Sequence, residues 1–177
     1  MGGLDKGLVP FQGKPLVEHV IARIQPQVDE LFINANRALA TYQSFGLPVL
    51  KDAHADFIGP LAGFYVGISQ AKHPYLLTIP CDSPHLPDDI CLRLHQALRN
   101  EHAEIAVAQS SGAAHPVISL CKTSVLPSLL RAIERGERKV STWQKSLAYT
   151  EVNFDDCAEA FVNLNTLQDI SRLEQQP

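Results

Sequence analysis

The chain has 177 residues and a mass of 19.4 kDa, which fits one domain with a sizeable core. Its formal charge of −4 and isoelectric point near 5.9 argue against nucleic-acid binding, because nucleic-acid-binding domains usually carry a strongly basic face. No apolar run reaches the roughly 18 residues of a membrane span and no leader resembles a signal peptide, so we expect a cytoplasmic protein without membrane or nucleic-acid partners.

Short apolar runs alternate with helical patterns along the chain. The predicted strands cover 31–33, 49–50, 75–79, 105–108, 117–120 and 151–154. The predicted helices cover 15–25, 38–45, 59–71, 87–99, 126–134, 141–147 and a final stretch to about 173. Strands separated by helices of about ten residues are typical of βαβ units, so the pattern predicts an α/β fold with a mostly parallel central sheet.

Polar residues follow several of these strands. Ligands of such folds bind beyond the carboxyl ends of the strands, which directs attention to Asn34, Asp52, Asp82, Asn163 and Asn165. Asparagine and aspartate also favour turns, so any one of these residues could have only a turn role.

The common nucleotide-binding and catalytic motifs are absent. Gly13-Lys14 is followed by Pro15, and Leu8 stands where a Walker loop needs glycine. The sequence also lacks a GxGxxG fingerprint, a GxSxG elbow and zinc-ligand spacing. The four cysteines form no CxxC pair, and we expect them to stay reduced.

Two features nevertheless indicate a nucleotide-dependent enzyme. Pro80 and Pro84 flank the turn that contains Asp82, so the backbone directs its carboxylate. Mg²⁺ needs only one or two protein carboxylates when phosphates and waters complete its shell. Lys6 lies in a glycine-rich loop and could approach a phosphate oxygen as a point charge.

The whole chain, to about Leu173, resembles the molybdenum cofactor guanylyltransferases. Eight stretches occur in the order seen in that family: MGGLDKGL, GKPLVEHV, INANR, GPLAG, PCDSPHLP, HPVISL, GERKV and FVNLNT. The resemblance implies a single nucleotidyltransferase domain over 1–177, with a Rossmann-like, GT-A-like fold. It also implies transfer of GMP from GTP to the phosphate of Mo-molybdopterin, with release of pyrophosphate.

The resemblance also implies roles for individual residues. Lys6 resembles the lysine that contacts the GTP phosphates, and Asp82 resembles the Mg²⁺ ligand. The other implied GTP contacts are Gly3, Asn34, Asp52, Gly59 and Gly63, the glycines fitting positions where bulk would obstruct a ligand. Asn163 and Asn165 match asparagines near the metal and the pterin, and Asn165 joins Lys6 and Asp82 as a catalytic residue.

The expected molybdopterin side of the cleft also includes His115, Arg138 and Lys139. His115 could instead pack structurally, and the two basic residues could belong to a solvated turn. Trp143 is expected in the core and not stacked on the pterin. The family often has an arginine shortly before the histidine–proline pair, where this chain has glycine and alanines, which puts one contact to the pterin phosphate in doubt.

Family members also begin with an apolar strand and the stretch LAGG directly before the position of Met1. We therefore expect the first strand of the domain to be missing here, with marginal folding and weak GTP binding that such a strand would rescue. Two alternatives stay open: a relative that uses CTP or a sugar phosphate, and a non-catalytic remnant that binds pterin or a protein. Transient contacts with cofactor-biosynthesis proteins or an acceptor molybdoenzyme are further expected partners.

Overall fold

The computed structural model describes residues 5–52 and 59–162. Its strands are β1 (Pro10–Phe11), β2 (Lys14–Pro15), β3 (Ile33–Asn34), β4 (Val49–Leu50), β5 (Tyr75–Thr78), β6 (Ile105–Ser110), β7 (Ala113–Lys122) and β8 (Tyr149–Asn153). Its α-helices are α1 (Leu16–Ile24), α2 (Leu39–Gln43), α3 (Pro60–Gln70), α4 (Ile90–Asn100), α5 (Leu126–Glu134) and α6 (Val140–Gln144). Turns of 3₁₀-helix cover Lys6–Leu8, Gln25–Gln27, Thr123–Val125 and Asp155–Phe161.

The larger sheet has four strands in the order β5-β7-β6-β8. Strands β6 and β8 are parallel, whereas β7 is antiparallel to both β5 and β6. Strands β5, β6 and β8 therefore run in one direction and β7 is reversed. This arrangement agrees with the predicted α/β fold and refines the sheet to a mixed one.

The reversed strand arises from a tight hairpin between β6 and β7. Ser111 and Gly112 have φ of 50° and 75°, the left-handed values that a two-residue hairpin turn requires. The sequence predicts the two strands as short, separate runs, because polar Gln109 and the small residues around the turn interrupt the apolar signal. The register shifts between Val107 and Ala108, so β7 bulges there and bends.

A second, smaller sheet contains only β3 and β4, which pair in parallel through Ile33↔Val49 and Asn34↔Leu50. Helix α3 packs against both sheets. A Cβ on Gly67 would lie 2.8 Å from a methyl carbon of Leu76 in β5, and one on Gly63 would lie 2.9 Å from the Oδ1 atom of Asn34 in β3. These two glycines let α3 approach both strands closely.

Two apolar clusters cover the two faces of the larger sheet. One joins α1 and α4 to the sheet through Val20, Ile24 and Leu94. The other joins α3, α5 and α6 and contains Trp143, which is 1% exposed and meets Phe64 edge-on at 5.3 Å between ring centroids. The prediction that Trp143 belongs to the core is confirmed.

The four cysteines are all free thiols, as the sequence predicts. Burial raises the pKa of Cys81 to about 11, so this thiol stays protonated near neutral pH.

Within the ranges 5–52 and 59–162, no helix has the length and apolarity that a membrane crossing requires.

Candidate active site

The glycine-rich loop and the proline-flanked turn meet at one edge of the fold. The Lys6 ammonium lies 3.7 Å from Oδ2 of Asp82, which lies in the turn after β5 (Tyr75–Thr78). The Asp82 side chain is 11% exposed, whereas that of Lys6 is 48% exposed. A largely buried carboxylate thus faces a lysine that still reaches solvent, and both charges are available to an anionic substrate with its cation.

Asn34 and Asp52, predicted separately from two strand ends, form one hydrogen-bonded cluster. The Asn34 amide donates to Oδ1 of Asp52 at 3.0 Å and to the Leu50 carbonyl at 3.2 Å. Parallel pairing of β3 with β4 places the two side chains side by side at the carboxyl edge.

Asn36 is a third member of this cluster, and the sequence analysis did not single it out. Its amide donates to Oδ2 of Asp52 at 2.6 Å, and its Oδ1 accepts from the Asp52 backbone N–H at 2.9 Å. The sequence signal that could have identified Asn36 was its position in INANR, two residues after Asn34, because residues two apart in an extended segment share a face. We name Asn34, Asn36 and Asp52 the amide–carboxylate cluster.

Gly59 and Gly63, the two predicted site glycines at the start of α3, are required to be glycine for different physical reasons. A Cβ at Gly63 would lie 2.9 Å from Oδ1 of Asn34, so bulk there would displace a member of the amide–carboxylate cluster. Gly59 caps α3 with φ of 93°, a left-handed conformation that favours glycine, and a Cβ there would meet nothing within 4 Å. Gly63 thus serves close approach and Gly59 serves backbone conformation.

One cavity is lined both by Asn34 of the amide–carboxylate cluster and by the turn that leads to Asp82. This cavity, of about 340 Å³, is lined at its polar mouth by Asn34, Gly59, Gly63 and Cys81, the residue before Asp82. Its deeper walls are apolar and come from α1, β3, α3 and β5. The carboxyl ends of β3 and β5 therefore border one cavity, as the ligand rule for α/β folds predicts.

His115 lies further along the same edge of the larger sheet. It pairs with Ala108 near the carboxyl end of β6, and its Nε2 lies 2.7 Å from the hydroxyl of Ser110. Its ring also packs against Phe161, with 5.1 Å between centroids. Burial lowers the pKa of His115, so the imidazole is mostly neutral near pH 7.

Arg138 and Lys139 lie in the exposed loop between α5 and α6. Their backbone N–H groups donate to the Glu137 carboxylate at 2.8 and 2.7 Å, and these bonds lower the pKa of Glu137. The Arg138 guanidinium donates to the Glu137 carbonyl at 3.3 Å. Their contacts are thus local, and a pterin-binding role for them stays a prediction.

The remaining predicted site residues, Gly3, Asn163 and Asn165, lie outside the described residues. Within the described part of the chain, no group of three or more His, Cys, Asp or Glu side chains could hold a metal ion. The single carboxylate of Asp82 suits a cation such as Mg²⁺, which takes most of its oxygens from phosphates and water.

Comparison with known proteins decides the family. Residues 1–150 match the family model of the MobA-like NTP transferase domain. The chain belongs to this family. Among its MobA-like relatives, the molybdenum cofactor guanylyltransferase of Methylibium petroleiphilum is 45% identical, with 99% of this chain and 90% of that protein covered. The protein of the same name from Cupriavidus taiwanensis is 47% identical, with 96% and 87% covered.

Solved structures share the MobA-like fold. Molybdopterin-guanine dinucleotide biosynthesis protein A from Archaeoglobus fulgidus gives a TM-score of 0.80 at 20% identity, with 97% of this chain and 90% of that chain covered. The 2-C-methyl-D-erythritol 4-phosphate cytidylyltransferase of Thermus thermophilus gives 0.73 at 14% identity, with 96% and 92% covered. The predicted nucleotidyltransferase fold is confirmed.

Proposed function

We propose that this chain transfers GMP from GTP to the terminal phosphate of Mo-molybdopterin, forming the guanine dinucleotide cofactor and releasing pyrophosphate. The observation that carries the proposal is the Lys6–Asp82 pair at the mouth of the cleft, in a chain 45% and 47% identical to two molybdenum cofactor guanylyltransferases. Phosphoryl and nucleotidyl transfer need positioning and charge neutralisation more than covalent chemistry, and a lysine with a carboxylate for a cation supplies both.

Each predicted nucleotide-site residue that the structure describes would have a part in this reaction. Asp82 would hold a divalent cation, Mg²⁺ in our proposal, which neutralises charge at the α-phosphate when bound. Lys6 would offset the charge that grows on departing pyrophosphate as the molybdopterin phosphate oxygen attacks in line. Asn34 and Asp52 would contact the nucleoside, and Gly59 and Gly63 would let the α3 terminus approach it.

The molybdopterin side is proposed to contain His115, Arg138, Lys139, Asn163 and Asn165. An Asn165→Ala variant should then lose turnover more than GTP affinity, because the substitution acts on the transfer side of the cleft. Equilibrium GTP titration beside single-turnover rates checks this. Loss of GTP binding with normal transfer at saturation would place Asn165 with the nucleotide instead.

The test of the reaction itself is product formation. Purified protein is incubated with Mg²⁺, Mo-molybdopterin and either GTP, CTP or UTP, and pyrophosphate and dinucleotide are measured. We expect release only with GTP. Turnover with CTP alone would reassign the nucleotide, and pterin binding without turnover by any nucleotide would make the chain a binding protein. We further propose that the reaction takes place in the cytoplasm, with transient contacts to an acceptor molybdoenzyme.

A further inference from the structure

Asp5, the residue before Lys6, makes two hydrogen bonds that the proposed chemistry does not use. Its Oδ1 accepts from the Tyr42 hydroxyl at 2.5 Å and from the Gly7 backbone N–H at 3.3 Å. Tyr42 is only 3% exposed. Burial and the neighbouring carboxylate raise the pKa of Tyr42, so the phenol keeps the proton that it donates.

Gly7, the residue after Lys6, is held from two sides. A Cβ at Gly7 would lie 2.6 Å from the Tyr42 hydroxyl oxygen and 3.2 Å from the Cβ of Cys81. The backbone of the loop at Gly7 therefore packs closely against Tyr42 and against Cys81, the residue that precedes Asp82. Both neighbours of Lys6 are fixed, while the Lys6 side chain itself extends toward Asp82.

Tyr42 belongs to the smaller sheet's side of the molecule. It lies on α2, which follows β3, and packs in a cluster with Ile33 of β3 and Val17 of α1. The hydroxyl of Tyr42 thus connects the loop of Lys6 to the part of the fold that holds the amide–carboxylate cluster. Cys81 connects the same loop to the end of β5.

We propose that Tyr42 and Asp5 are positioning residues that hold the Lys6 ammonium group where the triphosphate of GTP lies. This inference rests on the proposed function. The hydroxyl–carboxylate bond fixes the loop, and the loop fixes the lysine. Because Lys6 contacts phosphate in the proposed function, the hydrogen bond between Tyr42 and Asp5 should strengthen binding of the β- and γ-phosphates and should not affect binding of the nucleoside.

The readout is the preference for GTP over GMP in equilibrium titrations with Mg²⁺. Lys6→Ala should abolish most of that preference. Tyr42→Phe should reduce it about ten-fold, since a hydrogen bond to a partly buried charged group is lost, and should leave the GMP affinity unchanged. Asp5→Asn keeps an acceptor for Tyr42 and should retain most of the preference that Asp5→Ala loses. Tyr149→Phe is the matched control, because the Tyr149 hydroxyl likewise donates to a carboxylate, that of Glu151, at 2.7 Å.

A double substitution separates positioning from general damage. If Tyr42 acts through Lys6, Tyr42→Phe should change the preference no further in the Lys6→Ala background. Full GTP preference in Tyr42→Phe, with that preference lost in Lys6→Ala, would overturn the inference while leaving the proposed function intact.

Trypsin tests the same bond without any nucleotide, because it cleaves after Lys6. We expect cleavage there to be several-fold faster in Tyr42→Phe than in wild type or Tyr149→Phe, since the released loop reaches the protease more often. Equal cleavage rates would overturn the inference. Absence of guanine-nucleotide binding by wild type would overturn the proposed function instead, and the cleavage rates would still decide whether Tyr42 holds the loop.

Discussion

The β5-β7-β6-β8 sheet and the β3–β4 sheet, two of the three sheets in the described residues, are built very differently. The β5-β7-β6-β8 sheet has strands of up to 10 residues and apolar clusters on both faces. The β3–β4 sheet has two residues per strand, and its contact with the rest of the fold depends on side chains of α1 and α3. The large sheet carries Asp82, and the small sheet carries the amide–carboxylate cluster. The candidate site therefore lies between two unlike parts of the fold. We call the part around the β5-β7-β6-β8 sheet the stiff half and the part around the β3–β4 sheet the weakly paired half.

Two cavities with a shared apolar wall lie between these halves. One, of about 340 Å³, is at the site, and the other, of about 380 Å³, is near the amino end of β5; Leu31, Phe32, Leu76 and Leu77 line both. Strands β3 and β5 line the first cavity together with α1 and α3. In the described residues β3 and β5 do not pair with each other, so side-chain packing sets the distance between the amide–carboxylate cluster and Asp82.

The largest expected effect comes from removing the charge that the stiff half provides. Asp82→Asn should lower magnesium-dependent transfer at least about a thousand-fold, because several kcal/mol of transition-state stabilisation depend on an anionic ligand. The melting temperature should change little, since the large sheet determines the position of the turn. Steady-state kinetics and a thermal melt measure both.

Asp88→Asn is the matched control for this prediction. Asp88 lies a few residues further on and pairs with Arg23 at 2.6 Å on the surface. Its loss should leave turnover near normal. Equal turnover of the Asp82 and Asp88 variants would exclude Asp82 as the metal ligand.

Sequence reasoning was most successful where one strong local signal determined the structure. The proline-flanked turn predicted Asp82 after a strand and the glycine-rich loop singled out Lys6, and the structure brings their charged groups to 3.7 Å. The apolar environment of Trp143 identified it as a core residue, and the structure buries it. Each of these predictions depended on a few neighbouring residues.

Sequence reasoning was less successful where the structure depends on partners distant in the chain. The reversed strand β7 follows from the turn at Ser111 and Gly112, whose left-handed conformation has only a weak sequence signal. The role of Asn36 depends on Asp52, 16 positions later, and the support of Lys6 depends on Tyr42, 37 positions after Asp5. Periodicity reports which face a residue occupies, but it does not report which residue lies opposite.

The second prediction tests the weakly paired half at its polar end. Asn36→Ala should weaken GTP binding about ten-fold with little change in the turnover rate at saturation, because Asp52 loses two hydrogen bonds that orient it. Asn153→Ala is the matched control. Asn153 makes the same pair of bonds to Asp155, at 2.9 and 2.8 Å, at the end of β8. Equal GTP affinities in the two variants would mean that the orientation of Asp52 does not affect nucleotide binding.

The smallest expected effect compares the packing of the two halves with one matched substitution. Ile105→Val removes a methylene from a fully buried position in β6 and should cost about 1 kcal/mol of unfolding free energy. Ile33→Val removes the same group from β3, where the side chain is 8% exposed and lines the cavity, and should cost about half as much because fewer contacts are lost. Urea denaturation with equal m-values measures both. Equal costs would show that β3 is packed as tightly as β6.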